Sequence, residues 1–174
     1  MSIEQVRDYL KRWNRDNNII EMPISTATVE LAAAALGVMP ARIAKSISLR
    51  GSGDAGGSEN SCSNAALIVV TAGDMKIDNR KFRERFNIKP RMLSAEEALE
   101  HTGHAPGGVC PFALPPEVKV FLDCSMKRFQ TVFPACGSGN SAIELTMSEL
   151  EEYSQSSGWV DVCIPLPGYA EASS

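Results

Sequence analysis

Lys45 is the residue whose setting most calls for chemistry. Over Ile43 to Leu49, the side chains of Ile43, Lys45, Ile47 and Leu49 fall on one face of a strand, and Ala44, Ser46 and Ser48 on the other. An ammonium therefore interrupts an apolar stripe. Burying that charge is costly, so it must find an anionic partner, shift its pKa or line a cavity, unless it snorkels out from a strand end. Its neighbour Arg42 reads as an ordinary surface cation. The run Gly103-His104-Ala105-Pro106-Gly107-Gly108-Val109-Cys110-Pro111 mixes glycines, which permit unusual backbone angles, with prolines, which restrict them. Such a loop can bring bare N–H groups to a ligand and stabilise an oxyanion, or it can simply turn a sheet corner. Cys110 could act as a nucleophile there, with His101 and His104 as the basic groups nearby in sequence. Cys136-Gly137-Ser138-Gly139-Asn140-Ser141 lacks the P-loop lysine and the dinucleotide fingerprint, and Ser138 lacks a nucleophile elbow. It reads as a turn between Phe133 and Ile143 that also rims a pocket. Lys76, Arg80, Lys81, Arg83, Arg85, Lys89 and Arg91 form a basic stretch broken only by Asp78 and Glu84. That stretch is either a solvated helix face or a guide for RNA phosphates.

The elements that must position these residues follow from periodicity and caps. Ile3, Val6, Leu10 and Trp13 predict an amphipathic first helix ending near Asn17-Asn18, followed by a short strand over Ile19 to Met22. Ser25 or Thr26 is expected to cap an Ala-rich helix that Gly37 terminates. After a turn at Pro40 come the Lys45 strand and a Gly/Ser-rich flexible loop over 51–64, then a fully apolar central strand, Ala65 to Thr71. Asp78, Ser94-x-x-Glu97 and Thr146-x-x-Glu149 read as three further helix starts. Gly103 to Pro116 is expected to be irregular. Strands are expected over Val118 to Leu122, Thr131 to Phe133, Ala142 to Leu145 and Trp159 to Ile164. Helices and strands interspersed without a βαβ rhythm or repeat point to a mixed-sheet α+β domain.

The chain has 174 residues, enough for a single domain over 1–174 with its own core, and 44% hydrophobic with 22% charged residues excludes fibrous and disordered classes. A net charge of −4 argues against a protein that grips nucleic acid over a broad basic surface. No stretch approaches the roughly 18 to 20 apolar residues of a membrane span, and the start shows no secretory leader, so a cytoplasmic protein without membrane attachment is expected. Five cysteines without a C-x-x-C pair, and only two histidines, suggest neither a disulfide framework nor a metal site. No cofactor is expected.

The chain resembles the YbaK/ProX family of stand-alone aminoacyl-tRNA deacylases, relatives of the editing domain of bacterial prolyl-tRNA synthetase. The resemblance rests on four motifs in order over roughly residues 20 to 160: Leu36-Gly37-Val38-x-Pro40-x-x-Ile43-x-Lys45-Ser46, Val69-Val70-Thr71-Ala72-Gly73-Asp74-x-x-x-Asp78, Gly103-x-x-x-Gly107-Gly108-Val109-x-Pro111-Phe112, and Gly137 followed by Ile143-Glu144-Leu145-Thr146. It implies an α+β fold, a single compact domain with a mixed, strongly curved β-sheet surrounded by helices, whose concave face takes the aminoacylated end of tRNA. In the family the strand lysine matching Lys45 is essential and the glycine loop matching Gly107 to Pro111 shapes the site.

The implied activity is trans-editing hydrolysis of mischarged aminoacyl-tRNA carrying a small amino acid. Lys45, Gly107 and Gly108 are the expected catalytic positions. Thr26, Ile47, Gly103, His104, Val109, Pro111, Gly137 and Ser138 are the expected substrate contacts. The expected partner is the aminoacyl-tRNA acceptor end, with transient association with an aminoacyl-tRNA synthetase as a further possibility. Where some members carry a serine and an aspartate around the last glycine loop, this chain has Ala135 and Ala142. Those alanines favour an alternative, a non-catalytic aminoacyl-tRNA or nucleotide binding module of the same fold. A thiol hydrolase using Cys110 is a third reading.

Overall fold

Ala66–Ala72 is buried at every position, as an apolar run without alternation must be, and it forms a central strand. The computed structural model describes residues 2–51, 66–105 and 107–167, so nearly all of the loop expected over 51–64 lies outside the described residues. In chain order the elements are α1 (Ser2–Leu10), β1 (Ile20–Glu21), α2 (Val29–Leu36), β2 (Ile43–Arg50), β3 (Ala66–Ala72), β4 (Met75–Ile77), α3 (Asn79–Phe86), α4 (Ala95–Thr102), β5 (Lys119–Asp123), β6 (Thr131–Pro134), β7 (Ser141–Ala142), β8 (Leu145–Thr146), α5 (Met147–Ser154), β9 (Gly158–Val160) and β10 (Cys163–Pro165).

Six strands make one strongly curved mixed sheet in the order β8-β6-β2-β3-β5-β9. β2 runs antiparallel to β3 from Ala44↔Ala72 to Arg50↔Ala66, and β3 and β5 are parallel. β6 lies parallel to β2 over only two pairs, Ile43↔Phe133 and Ala44↔Pro134. Two small ribbons, β1 with β7 and β4 with β10, flank the sheet.

The two-residue period of β3 distributes its side chains between two cores. Ile68 and Val70 join Val6, Leu10, Phe112 and Leu150 on one face, and Leu67 and Val69 join Leu49, Phe82 and Val162 on the other. Each fully buried side chain of this size contributes about 1.5–3 kcal/mol. A third cluster, Met22, Ala32, Ala33, Ile43, Phe133 and Ala142, holds α2 against the start of β2.

The capping boxes at Ser94 and Thr146 and the Asp78 cap form as expected, and Gly37 ends α2 in the left-handed region at φ 69°. Four expectations are corrected. The first helix ends at Leu10 and continues as two 3₁₀ turns separated by Asn14 at φ 58°, a conformation asparagine tolerates. The cap of α2 is Thr28, whose hydroxyl accepts from the Leu31 N–H; neither Ser25 nor Thr26 takes that role. Ala142 to Leu145 and Trp159 to Ile164, each read as one strand, are each two strands in different sheets, because the chain turns a corner that alternation does not register. β4 was not anticipated; it pairs with β10.

Candidate functional site

The β2–β6 ladder stops where Pro134 has no N–H to continue it. β6 then turns away, and Ala135 bridges Ala142 of β7. Between the splayed strands opens a cavity of about 130 Å³. Its walls are Lys45 and Ser46 of β2, Phe133 and Ala135, Ser141 and Ala142, the segment from Thr26 to Val29 that starts α2, and Gly107 and Val109. Five alanines, Ala27, Ala32, Ala44, Ala135 and Ala142, face it with methyl groups only.

The Lys45 side chain is partly buried and makes no hydrogen bond or ion pair among the described residues. Burial pulls its pKa below the ordinary lysine value, opposed by the fields of Cys163, Asp74 and Glu30. Asp74 is already held by Arg128 through two bonds of 3.0 and 2.7 Å, so its charge is largely engaged elsewhere. Arg42, read as an ordinary surface cation, pairs with Glu144 at 3.2 Å and lies over the Phe133 ring.

Three loops meet at the cavity rim. The Thr26 N–H and hydroxyl both donate to the Gly139 carbonyl, at 2.6 and 3.2 Å. The Asn140 side-chain amide donates to the Met22 carbonyl at 3.0 Å. The Ser138 hydroxyl lies 2.9 Å from Asn140 Oδ1 and 2.7 Å from the Ser141 hydroxyl. Gly107 is exposed at φ 84°, and a Cβ there would stand 3.1 Å from Ala27 Cβ. A Cβ on Gly108 would stand 2.7 Å from the Gly137 carbonyl oxygen and 2.9 Å from the Ser138 nitrogen. Glycine is required at Gly108 for loop-on-loop contact.

Of the residues expected as catalytic positions or substrate contacts, Lys45, Thr26, Gly107 and Val109 line the cavity and the others do not; Ala135 and Ala142, noted as departures from the family, line it too. The Gly108 amide donates to the Ala105 carbonyl at 3.0 Å. Ile47 packs with the Leu49 core, and Gly103 is the left-handed C-cap of α4, its amide on the Leu99 carbonyl. His104 is fully buried, with Nε2 2.8 Å from the Phe112 carbonyl and 3.5 Å from Cys110 Sγ; burial lowers its pKa, and the Phe112 hydrogen bond partly opposes that. Pro111 lines a separate cavity of about 250 Å³ with Tyr9 and Pro115. Gly137 and Ser138 support the rim from behind. The wall residues Ser46, Ser141, Phe133 and Thr28 were missed; strand register alone could have flagged Ser46, as the neighbour of Lys45.

Cys110 is fully buried and its thiol is pushed up to about 12, which denies it a thiolate near neutrality. In the basic stretch, Lys81 pairs with Asp161 at 2.9 Å, Arg80 with Glu84 at 3.1 Å, and Arg85 lies over the Phe86 ring; none of it lines the cavity. Asp123, Cys124 and Asp161 cluster, but the Asp123 carboxylate accepts from the Ser125 and Val162 amides and Asp161 holds Lys81, so these donors are engaged. Among the described residues no helix is long and apolar enough to cross a membrane.

The same architecture occurs in a crystal structure of a candidate trans-editing enzyme for prolyl tRNA synthetase, with a TM-score of 0.78 and 25% identity over 92% of this chain and 96% of that one. The chain belongs to the aminoacyl-tRNA editing domain family, whose pattern matches residues 24–153. It is 55% identical over 163 residues to the uncharacterized protein YwhH of Bacillus subtilis (strain 168), covering 94% of this chain and 98% of that protein. It is also 31% identical over 104 residues to the proline–tRNA ligase of Bacillus licheniformis, a match that covers 59% of this chain and 16% of the ligase. Family membership supports a role in aminoacyl-tRNA editing, with aminoacyl-tRNA as the substrate.

Proposed function

We propose that the protein hydrolyses, in trans, the ester bond of mischarged aminoacyl-tRNA carrying a small amino acid. The observation that carries this reading is the partly buried Lys45 ammonium, without an ion-pair partner among the described residues, at a cavity of about 130 Å³ in an editing-family chain. An α-aminoacyl ester is already reactive and needs chiefly a positioned water and charge stabilisation at its carbonyl oxygen. Lys45 holds the phosphate or hydroxyl region of the terminal nucleotide. Gly107, the exposed glycine of the loop, flanks the ester, and the Gly108 contact with Gly137 fixes that loop in place. One preorganised donor of this kind contributes about 3–4 kcal/mol to transition-state stabilisation. A ribose hydroxyl of the substrate can assist the water where no protein base stands.

The size of the cavity supports a small aminoacyl side chain, since a single water already occupies about 30 Å³ of liquid volume. A panel of mischarged tRNAs tests the reading with wild type and Lys45→Ala: cleavage by the wild type and its loss in the variant are expected, and equal cleavage by both would remove Lys45 from the mechanism. Cys110→Ala is expected to retain deacylation, and a loss of more than about tenfold would reinstate the thiol. The second reading, a non-catalytic binding module, is favoured by Ala135 and Ala142 at the cavity wall; tRNA binding without multiple turnover would select it. The proposed reaction belongs in the cytoplasm, with transient contact to a synthetase as a further proposal.

A further inference from the structure

The outer edge of β2 has a gap at Ser46. The Ser48 carbonyl accepts from the Leu93 N–H and the Arg50 N–H donates to the Arg91 carbonyl, so residues 48 and 50 present their backbone groups to the edge away from β3. By the two-residue period Ser46 does the same. The β6 ladder ends two residues before it, at Ala44↔Pro134, and the pairing with the 91–93 segment begins two residues beyond it, at Ser48. Ser46 thus stands in the opening where the cavity forms.

Among the described residues the cavity wall contains four hydroxyl side chains, and three are engaged. Thr26 donates to the Gly139 carbonyl, Thr28 caps α2, and Ser141 lies against Ser138. The Ser46 hydroxyl is shielded from solvent and has no hydrogen-bond partner among the described residues. Elsewhere in the cavity lining Ile43, Val109, Phe133, Ala135 and Ala142 carry no side-chain donor or acceptor. A buried hydroxyl without a partner is costly, and a site that holds one favours a ligand able to complete it.

We infer that Ser46 is a specificity-determining residue whose unpartnered hydroxyl, at the gap in the β2 edge, hydrogen-bonds the β-hydroxyl of a seryl or threonyl group seated in the cavity. This rests on the deacylase reading above. An alanyl group fits the same space but leaves Ser46 dry and unpaired; a seryl group satisfies it.

The test charges one tRNA body with serine or alanine and compares kcat/KM for wild type and Ser46→Ala. The variant deletes an unpaired hydroxyl, so its thermal midpoint should not fall. The expected result is a drop of about tenfold in the seryl-to-alanyl ratio, carried by the seryl arm. A ratio that does not change, as it would not if a water alone satisfied Ser46, overturns the inference. A second measurement does not depend on turnover: binding of amide-linked seryl- and alanyl-adenosine, where wild type should prefer the seryl analogue and Ser46→Ala should not. Cleavage without a side-chain preference sinks the inference and leaves the deacylase reading standing. A seryl preference in binding that Ser46→Ala abolishes, without cleavage of any ester, supports the inference and sinks the deacylase reading.

Discussion

Lys45→Met is expected to lower kcat/KM for deacylation by about a hundredfold or more while the domain stays folded. The substitution keeps an unbranched apolar stem of similar length and removes only the charge. The two consequences separate because the ammonium stabilises nothing else among the described residues: it has no ion pair, and burial lowers its pKa. A lysine whose folded pKa lies below its unfolded value opposes folding at every pH below that folded value, and the opposition fades as pH rises towards the unfolded value. Lys45→Met should therefore melt at or above the wild-type temperature near neutral pH, with the difference shrinking in alkali. The activity has the opposite dependence. Grip by an ammonium is complete below the lowered pKa and is lost as pH rises through it, so the Lys45-dependent part of the rate should decline at a pH below the ordinary lysine range. Calorimetry and a pH–rate profile corrected for spontaneous ester hydrolysis read both. A variant that melts early would make Lys45 a structural residue, and one that retains its rate would end its role in the reaction.

Gly73→Ala is expected to cause the largest loss of stability, about 3 kcal/mol or more, or a drop of roughly 6–12 °C in thermal midpoint for a domain of this size. A Cβ there would stand 2.2 Å from the Pro40 carbonyl oxygen, 2.7 Å from Val29 Cγ1 and 3.2 Å from the Ile43 carbonyl oxygen. Two of those three atoms are backbone and cannot rotate away. The position joins the end of β3 to the start of β2 and to α2, so the clash moves Ile43 and Val29, both cavity walls. Activity should fall with stability. Chemical denaturation with an unchanged m-value checks the claim, and a shift of less than about 1 kcal/mol would show that the turn relaxes freely.

Much of the scaffold was legible because it is written in local chemistry. The Ser94 and Thr146 capping boxes and the Gly37 stop each depend on residues three or four apart, and all formed. The Lys45 anomaly was legible for the same reason, since a strand's period assigns faces without knowing what covers them. Legibility failed where partners are distant in sequence. Thr28 displaced Thr26 as the α2 cap because Thr26 is held by Gly139, 113 residues away. Nothing local in the sequence shows that the Gly108 amide donates to Ala105 or that its bare Cα faces Gly137.

By itself the sequence determined the capped helix starts, an apolar central strand, the ammonium in an apolar stripe and the four ordered motifs that match the editing family. Its net charge of −4 weighs against a broad grip on nucleic acid, and the proposed site needs only one cation at a cavity. Only the tertiary structure decided which expected residues share that cavity, that its volume is about 130 Å³, and that among the described residues Ser46 alone of its hydroxyls lacks a partner. The physical reason is that periodicity and capping are short-range constraints on one segment. A cavity is the space left where segments fail to meet, here where Pro134 ends one ladder before the next begins.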